Sequence, residues 1–174
     1  WPSANFRDSR SLANGPIRVM FELVYAAWDV NGRPVRERKR VTLDAGQHLS
    51  RFESDYQADG TRPAVYGAGI KKQAGAVSVS NVADGILRSW EPVKDNGNVG
   101  CGIVVAPGSA VEVTEADGNY VIVSRVPSAG PAVYYAGFGW DRSGDVKDVA
   151  DWDRYLKQAA ERQRAPVLVS VGAR

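Results

Sequence analysis

The sequence predicts a mainly β protein, an antiparallel β-sandwich with one C-terminal amphipathic helix followed by a closing strand. Short segments with alternating apolar residues recur about every ten residues, and turns rich in Gly, Pro, Asn and Asp separate them. A single segment, which starts at Val149 and ends before Pro166, repeats its apolar residues at helical spacing. A lone amphipathic helix needs an apolar surface to cover, and we expect the strands to supply that surface.

Length and composition indicate one domain. The chain has 174 residues, of which 44% are hydrophobic, enough for one good core. We expect a polar N-terminal arm over residues 1–15 and a single β-sandwich domain over residues 16–174. A net charge of +2 argues against nucleic acid as a partner, and no apolar run reaches the roughly 18 residues of a membrane helix. The single cysteine, Cys101, excludes an internal disulfide and is expected to act as a small buried apolar residue.

Three strands are predicted to open the domain. They cover Ile17 to Val30, Pro34 to Leu43 and His48 to Tyr56, and the turns between them are Asn31-Gly32 and Ala45-Gly46. One face of the second and third strands carries mostly charged residues: Arg36, Arg38, Arg40, Arg51, Glu53 and Asp55.

The register of the first hairpin can be argued from burial. A strict two-residue turn at Asn31-Gly32 would place Leu23 opposite Arg40 and mix the apolar row with the arginine row. A register shifted by one residue keeps the two rows apart. We therefore expect a three-residue loop or a β-bulge between Trp28 and Val35.

The remaining elements follow from the same two periodicities. Seven further strands are predicted: Ala64–Lys71, Val77–Val82, Ile86–Trp90, Val99–Ala106, Ala110–Glu115, Asn119–Val126 and Ala132–Tyr135. The helix is predicted to be capped by Asp148 and to bury one side. Its apolar stripe is Val149, Trp152, Leu156 and Ala159 or Ala160, and the closing strand would use Val167, Val169 and Val171.

Three blocks of sequence carry a resemblance to a known family. They read LVYAAWDVNGRPVRERKRVTLDAGQHLSRFES, LRSWEPVKDNGNVGCGIVV and YYAGFGWDRSGDVKDVADWDRYLKQAAERQRAPVLVSV. Over roughly residues 14–171 the chain resembles the C-terminal part of the bacterial secreted family known as domain of unknown function 4861. The resemblance implies a galactose-mutarotase-like supersandwich, a longer parent chain with an upstream β region, and a periplasmic or extracellular location. It also implies an association with enzymes that degrade uronic-acid polysaccharides, but it supplies no catalytic residues.

Several chemistries are excluded by the residues. There is no GxSxG motif and no phosphate-binding glycine loop, and one histidine cannot build a His-rich metal site. The sequence therefore predicts no metal and no cofactor. A glycosidase needs two carboxylates beside the sugar, and Glu22, Glu53 and Asp55 share one predicted face. We expect those carboxylates to pair with neighbouring arginines.

A lyase fits the residues more easily. β-Elimination from a uronate needs a cation for the carboxylate, a base for the C5 proton and an acid for the leaving oxygen. The candidates for proton transfer are His48, Lys71, Lys72 and Tyr66, with Tyr120 as a further option. Lys71 and Lys72 are adjacent on a predicted strand, so one of them should reach the polar face.

Aromatic residues beside charged ones favour sugar binding, because pyranose rings dock on flat apolar surfaces. Trp90 and Trp140 have that setting, whereas Trp28 and Trp152 are expected in the core. The predicted substrate-binding residues are Arg36, Arg38, Arg40, Arg51, Trp90, Glu91, Trp140 and Arg142.

Together these features predict a carbohydrate-active β-sandwich module of a secreted bacterial polysaccharide-degrading protein, whose partner is an acidic oligo- or polysaccharide. Lyase-type elimination is favoured, and whether the module is catalytic is left open. The alternative is a non-catalytic carbohydrate-binding or structural module that completes a catalytic partner. In either case we expect the chain to pack against an upstream segment or partner chain.

Overall fold

The computed structural model describes residues 4–58, 64–168, 170 and 172, and these residues form twelve strands and one helix. The strands are β1 (Phe6–Asn14), β2 (Arg18–Tyr25), β3 (Trp28–Val30), β4 (Arg33–Asp44), β5 (Leu49–Ala58), β6 (Val65–Lys71), β7 (Val77–Asn81), β8 (Ile86–Pro92), β9 (Asn98–Val105), β10 (Ala110–Ala116), β11 (Asn119–Arg125) and β12 (Ala132–Trp140), and the helix is α1 (Val149–Arg164). No helix among the described residues is long and apolar enough to cross a membrane.

The strands form two antiparallel sheets. The large sheet has the order β1-β2-β4-β5-β12-β9-β8-β7, with β3 also paired to β4, and the small sheet has the order β10-β11-β6. The small sheet packs on one face of the large sheet through a core that includes Ile122, Ile103 and Leu87. Helix α1 packs on the other face through Trp152 and Leu156. The predicted mainly β sandwich with one C-terminal helix is therefore confirmed.

Helix α1 forms as its sequence predicts. The Asp148 side chain accepts a hydrogen bond from the backbone N–H of Asp151 at 2.9 Å, which caps the helix. Trp152, Leu156 and Ala160 are the buried residues of the helix, each one turn after the last.

The closing strand predicted after the helix is wrong for Val167 and Leu168. Val167 and Leu168 have no strand structure and their side chains are exposed, while Val169 and Val171 lie outside the described residues. Apolar alternation produces a strand only where a segment reaches an unpaired sheet edge. Here the chain leaves the helix at Pro166, which lines a cleft rather than a sheet edge.

The shifted register of the first hairpin is confirmed, but the predicted three-residue loop or β-bulge between Trp28 and Val35 is wrong. Leu23 pairs with Lys39 and Glu22 pairs with Arg40, as burial predicts. Asn31 and Gly32 nevertheless form a tight turn with φ of 54° and 77°, and Trp28 pairs directly with Val35. The irregularity therefore falls at residues 26–27, which divide the predicted first strand into β2 and β3.

The N-terminal segment is a strand rather than an arm. Phe6–Asn14 pairs antiparallel with β2 and forms one edge of the large sheet. Its side chains are mostly exposed, so no apolar alternation marks it in the sequence. Backbone pairing at a sheet edge does not need such a pattern.

Glycines in β9 allow the helix to approach the sheet closely. A Cβ atom at Gly102 would lie 2.6 Å from Leu156 Cδ2, and one at Gly100 would lie 2.5 Å from Trp152 Cδ1. Cys101, between them, is half-buried and packs with the core of the other face, where burial raises the pKa of its thiol. The position of α1 over the sheet therefore depends on these two glycines.

Candidate functional site

A cleft of about 730 Å³ opens between the C-terminal half of α1 and the large sheet. This volume lies within the range of about 300–1,000 Å³ that is usual for small-molecule sites. We call it the helix–sheet cleft. It is lined by Arg18, Met20, Thr42, Asp44, Gln47, Leu49, Arg51, Glu53, Ala106, Pro107, Val133, Tyr135, Tyr155, Ala159, Arg162, Gln163 and Pro166.

The floor of the cleft is one row of side chains across four strands. Met20 pairs with Thr42, Thr42 pairs with Arg51, and Arg51 pairs with Tyr135. Directly paired residues on neighbouring strands point to the same face of a sheet. The row therefore brings β2, β4, β5 and β12 together beneath the helix.

The wall of the cleft is one stripe of α1. Tyr155, Ala159, Arg162 and Gln163 line the cleft, and they are spaced as residues i, i+4, i+7 and i+8 of a helix. This stripe lies beside the buried one that contains Leu156. The small Ala159 leaves space between the tyrosine ring and the two polar side chains.

Tyr155 is held from three sides. Its ring stacks on Trp152, with centroids 5.4 Å apart and planes 5° apart. Its hydroxyl accepts a hydrogen bond from the backbone N–H of His48 at 3.0 Å and donates one to Gln47 Oε1 at 3.3 Å. The position of the Tyr155 ring is therefore set by contacts within the chain itself.

The cations on the sheet side of the cleft are already paired. Arg18 donates to both carboxylate oxygens of Asp44, at 2.5 and 2.8 Å, and these hydrogen bonds hold the pKa of Asp44 below its usual value. Arg51 makes an ion pair with Glu53. Each pair offers both donors and acceptors to a ligand.

The helix side carries polar groups with unused hydrogen-bonding capacity. Arg162 makes no ion pair or hydrogen bond with the rest of the described chain. The Nε2 atom of Gln163 is shielded from solvent and also has no partner there. The Tyr135 hydroxyl on the floor likewise makes no hydrogen bond to a described residue.

The predicted arginine row lies on the same face but mostly outside the cleft. Arg36, Arg38 and Arg40 alternate along β4 on the face that carries Arg51, and Arg51 alone among these four lines the cleft. Arg38 contacts Asp55 at 3.3 Å, and Arg40 contacts Glu22 at 3.6 Å.

Glu22 is the centre of this charged group. Its side chain is 3% exposed, and Arg10 contacts it at 2.8 Å, in addition to Arg40. The expectation that Glu22, Glu53 and Asp55 share a face and pair with arginines is thus confirmed. Most of the positive charge along β4 is locally balanced.

The predicted proton-transfer residues do not line the cleft. His48 Nε2 lies 2.8 Å from Asp145 Oδ2, and the imidazole packs edge-on against Trp152 and Tyr155. Tyr66 is buried in the core between the sheets, where burial raises the pKa of its hydroxyl to about 12.

Lys71 and Lys72 do not join the arginines either. Lys71 is the last residue of β6 in the small sheet and Lys72 follows it directly, on the opposite side of the large sheet from the cleft. Lys72 Nζ donates to Glu115 at 2.7 Å and lies over the Tyr120 ring at 4.9 Å. The predicted grouping of these lysines with the arginine row is wrong, because β6 pairs with β11 and not with the large sheet.

The predicted tryptophans also lie elsewhere. Trp90 packs against the core beneath α1, and Trp140, which is 38% exposed, donates its indole N–H to the Asn96 carbonyl at 2.7 Å. Trp140 is five positions beyond Tyr135 on β12, roughly 17 Å along an extended strand. Trp152 is fully buried, as expected.

The charged neighbours of these tryptophans follow them away from the cleft. Glu91 follows Trp90 on β8, and its Oε2 atom is shielded from solvent. Arg142 donates to the Asp95 carbonyl at 3.3 Å, so it lies with Trp140 at the loop between β8 and β9.

Sequence reasoning missed the aromatic residues of the cleft. Tyr135 and Tyr155 line it together with Arg162 and Gln163. A usable signal was the position of Tyr155, three residues after Trp152 and beside the apolar stripe of α1, where a side chain is half-buried at the edge of the helix. Among the described residues, no group of three or more His, Cys, Asp or Glu side chains could hold a metal ion.

Comparisons with known proteins give a consistent result. A family model described as Domain of unknown function (DUF4861) matches residues 2–169. The curated Uncharacterized protein P7 of Formosa agariphila is 33% identical over 174 residues, which cover 97% of this chain and 43% of the relative. The chain thus spans less than half the length of that relative. No solved structure matches the chain.

Proposed function

Since the chain belongs to the family of domain of unknown function 4861, we propose that it is a carbohydrate-active β-sandwich module that holds an acidic oligosaccharide in the helix–sheet cleft. The observation that carries this proposal is the composition of the cleft, in which two tyrosines and three arginines line one space of about 730 Å³.

Each part of the cleft suits a part of a sugar. The Tyr155 ring, fixed by stacking on Trp152, offers the flat apolar surface on which a pyranose ring packs. The Arg18–Asp44 and Arg51–Glu53 pairs offer donors and acceptors for hydroxyl groups. An excess of arginine over carboxylate among the lining residues favours a negatively charged ligand.

If the module is an enzyme, the reaction that we propose for it is β-elimination from a uronate. A base would take the C5 proton, the electron pair would form the C4–C5 double bond, and the C4–O bond would break as the leaving oxygen gains a proton. Arg51 would neutralise the uronate carboxylate, and Tyr135, its direct partner on β12, would take the C5 proton as the phenolate and return that proton as the phenol to the leaving oxygen. Tyr135 was not among the bases predicted from the sequence, and two that were, His48 and Lys72, are engaged by Asp145 and Glu115 outside the cleft.

A further layer of polypeptide would complete the module. The face of the large sheet opposite α1 is covered by the small sheet over β8 and β9, whereas Val19, Phe21 and Leu43 on β2 and β4 remain 41%, 37% and 42% exposed. A second sheet seated on this apolar face would give the supersandwich that the family resemblance implies. That resemblance is also the basis for proposing a periplasmic or extracellular site of action.

Calorimetric titration of the purified chain tests the proposal. Oligoglucuronate and oligogalacturonate should bind, and a neutral cello-oligosaccharide of equal length should bind more weakly. Replacing Tyr155 by Ala should weaken binding by about 1–3 kcal/mol, roughly five- to 150-fold. A rise in ultraviolet absorbance with uronate polymers, abolished in Tyr135→Phe, would establish elimination.

Trp140→Ala is the matched control, because it removes an exposed aromatic residue that lies outside the cleft. If Trp140→Ala and Arg142→Gln abolished sugar binding while Tyr155→Ala did not, the sugar site would lie at the end of β12. The cleft proposal would then be wrong.

A further inference from the structure

The donors on the sheet side of the helix–sheet cleft have partners within the described chain, whereas donors on the helix side do not. On the sheet side, Arg18 and Arg51 each face a carboxylate within ion-pairing distance. On the helix side, Arg162 has no ionic partner in the described chain, and Gln163 Nε2 is a shielded donor without an acceptor. The unsatisfied donors are therefore concentrated on adjacent residues of one wall.

Helix stability explains only part of this arrangement. A cation in the last turn interacts favourably with the helix dipole, which accounts for Arg162 as well as for Arg164. Arg164 reaches Asp84 at 2.5 Å and is thereby paired, in contrast to Arg162. The dipole gives no reason for a shielded amide donor without an acceptor, which is costly and uncommon in native proteins.

We infer that Arg162 and Gln163 form an anion subsite, which binds the carboxylate or sulfate group of a sugar held in the cleft. The inference rests on the proposed function of this same cleft and adds an anion-binding position on the helix wall to the one assigned to Arg51 on the floor. The planar guanidinium of Arg162 matches a two-oxygen anionic group, and a half-turn of the Gln163 amide would present its unpartnered N–H donors to the same group. Because Ala159 separates these residues from Tyr155 on the helix, the sugar ring lies toward the tyrosine.

Substitutions on the helix wall test the subsite. Calorimetric titrations would compare three trisaccharides of equal length, one neutral, one bearing a uronate and one bearing a sulfate ester. The variants are Arg162→Gln, Arg162→Lys and Gln163→Leu. The control is Lys157→Gln, which removes one positive charge from the same helix at an exposed residue that does not line the cleft.

Arg162→Gln should weaken binding of an acidic trisaccharide about tenfold or more and leave the neutral one within about twofold. Arg162→Lys should recover part of the affinity, since it keeps the charge but loses the planar fork. Gln163→Leu should weaken acidic binding while its melting temperature equals or exceeds that of the wild type, because the change removes an unsatisfied donor. A purely structural role for Gln163 would instead lower the melting temperature.

The uronate and sulfate arms identify the anion: the ligand whose affinity depends on Arg162 is the one the subsite takes. If Arg162→Gln weakened neutral and acidic sugars equally, or if Lys157→Gln had the same effect, the anion subsite would be disproved and the cleft would still be a sugar site. If the wild type bound none of the three sugars, the proposed function itself would fail.

Discussion

The hydroxyl of Tyr155 accepts a hydrogen bond from the backbone N–H of His48 at 3.0 Å, and this contact joins α1 to the residue before β5. Gln47 and Leu49, on either side of His48, line the cleft from the sheet side. The contact therefore sets the distance between the wall of the cleft and its floor, and it fixes the ring on which a sugar would pack.

Tyr155→Phe should lower the free energy of unfolding by about 0.5–1.5 kcal/mol, because it removes this hydrogen bond together with the weaker one to Gln47 and keeps the stacked ring. Urea denaturation followed by circular dichroism measures the change. Tyr120→Phe is the control, since the Tyr120 hydroxyl makes no hydrogen bond to a described residue. Equal losses in the two variants would show that the Tyr155 contact contributes nothing specific.

Asp141 should make the free energy of unfolding depend on pH in the acidic range. Its Oδ2 atom accepts from the backbone N–H and the side-chain amide of Asn98, both at 2.8 Å, and these bonds lower the pKa of Asp141. Since the pKa is lower in the folded state than the usual value of about 3.9, the stabilisation is present at neutral pH. It is lost as the pH falls through the folded-state value.

Asp141→Asn should therefore give a shallower loss of stability than the wild type as the pH falls from about 5 to 2. Asn98→Ala, which removes one of the two donors, should lie between them. Thermal denaturation across this pH range is the measurement, and parallel curves for all three proteins would contradict the assignment.

Gly102→Ala should destabilise the protein by about 1–3 kcal/mol and weaken sugar binding. The added Cβ would lie 2.6 Å from Leu156 and 2.9 Å from the Trp152 ring, so α1 must move away from β9. Gly15→Ala is the control, because the nearest atom to its added Cβ is 3.9 Å away. Calorimetric melting of both variants, followed by sugar titration, checks the prediction, and an unchanged Gly102→Ala protein would refute it.

The uncovered apolar face of β2 and β4 should make the isolated chain self-associate and bind apolar molecules. Val19 and Leu43 are direct partners across β2 and β4, and both side chains are about two-fifths exposed. We expect the chain to bind an apolar fluorescent dye and to self-associate at high concentration. The double variant Val19→Thr and Leu43→Thr keeps β-branched or small side chains at these positions and should reduce both effects.

Val79→Thr, at an exposed residue of the edge strand β7, is the matched control for that experiment. Sedimentation velocity and dye titration give the two readouts. A monomeric wild type that binds no dye would show that this face needs no covering layer.

Local sequence patterns predicted correctly those features that depend only on residues close together in the chain. The cap at Asp148 and the spacing of Trp152 and Leu156 depend on neighbours within two turns, and both were confirmed. The alternation of Arg38 and Arg40 likewise placed them correctly on one face. The strand β1 was missed because an exposed edge strand needs no apolar alternation.

The sequence by itself determined which residues share a face of a strand or helix, because that depends only on the two backbone periodicities. It also predicted that the acidic and arginine residues of β2, β4 and β5 would pair with one another, and the structure confirms this. Only the tertiary structure decided that β12 lies between β5 and β9, which makes Tyr135 the neighbour of Arg51. Strand order is set by long-range packing and not by local pattern. For that reason the sequence pointed to Trp90 and Trp140, whereas Tyr135 and Tyr155 are the aromatic residues that line the cleft we propose as the site.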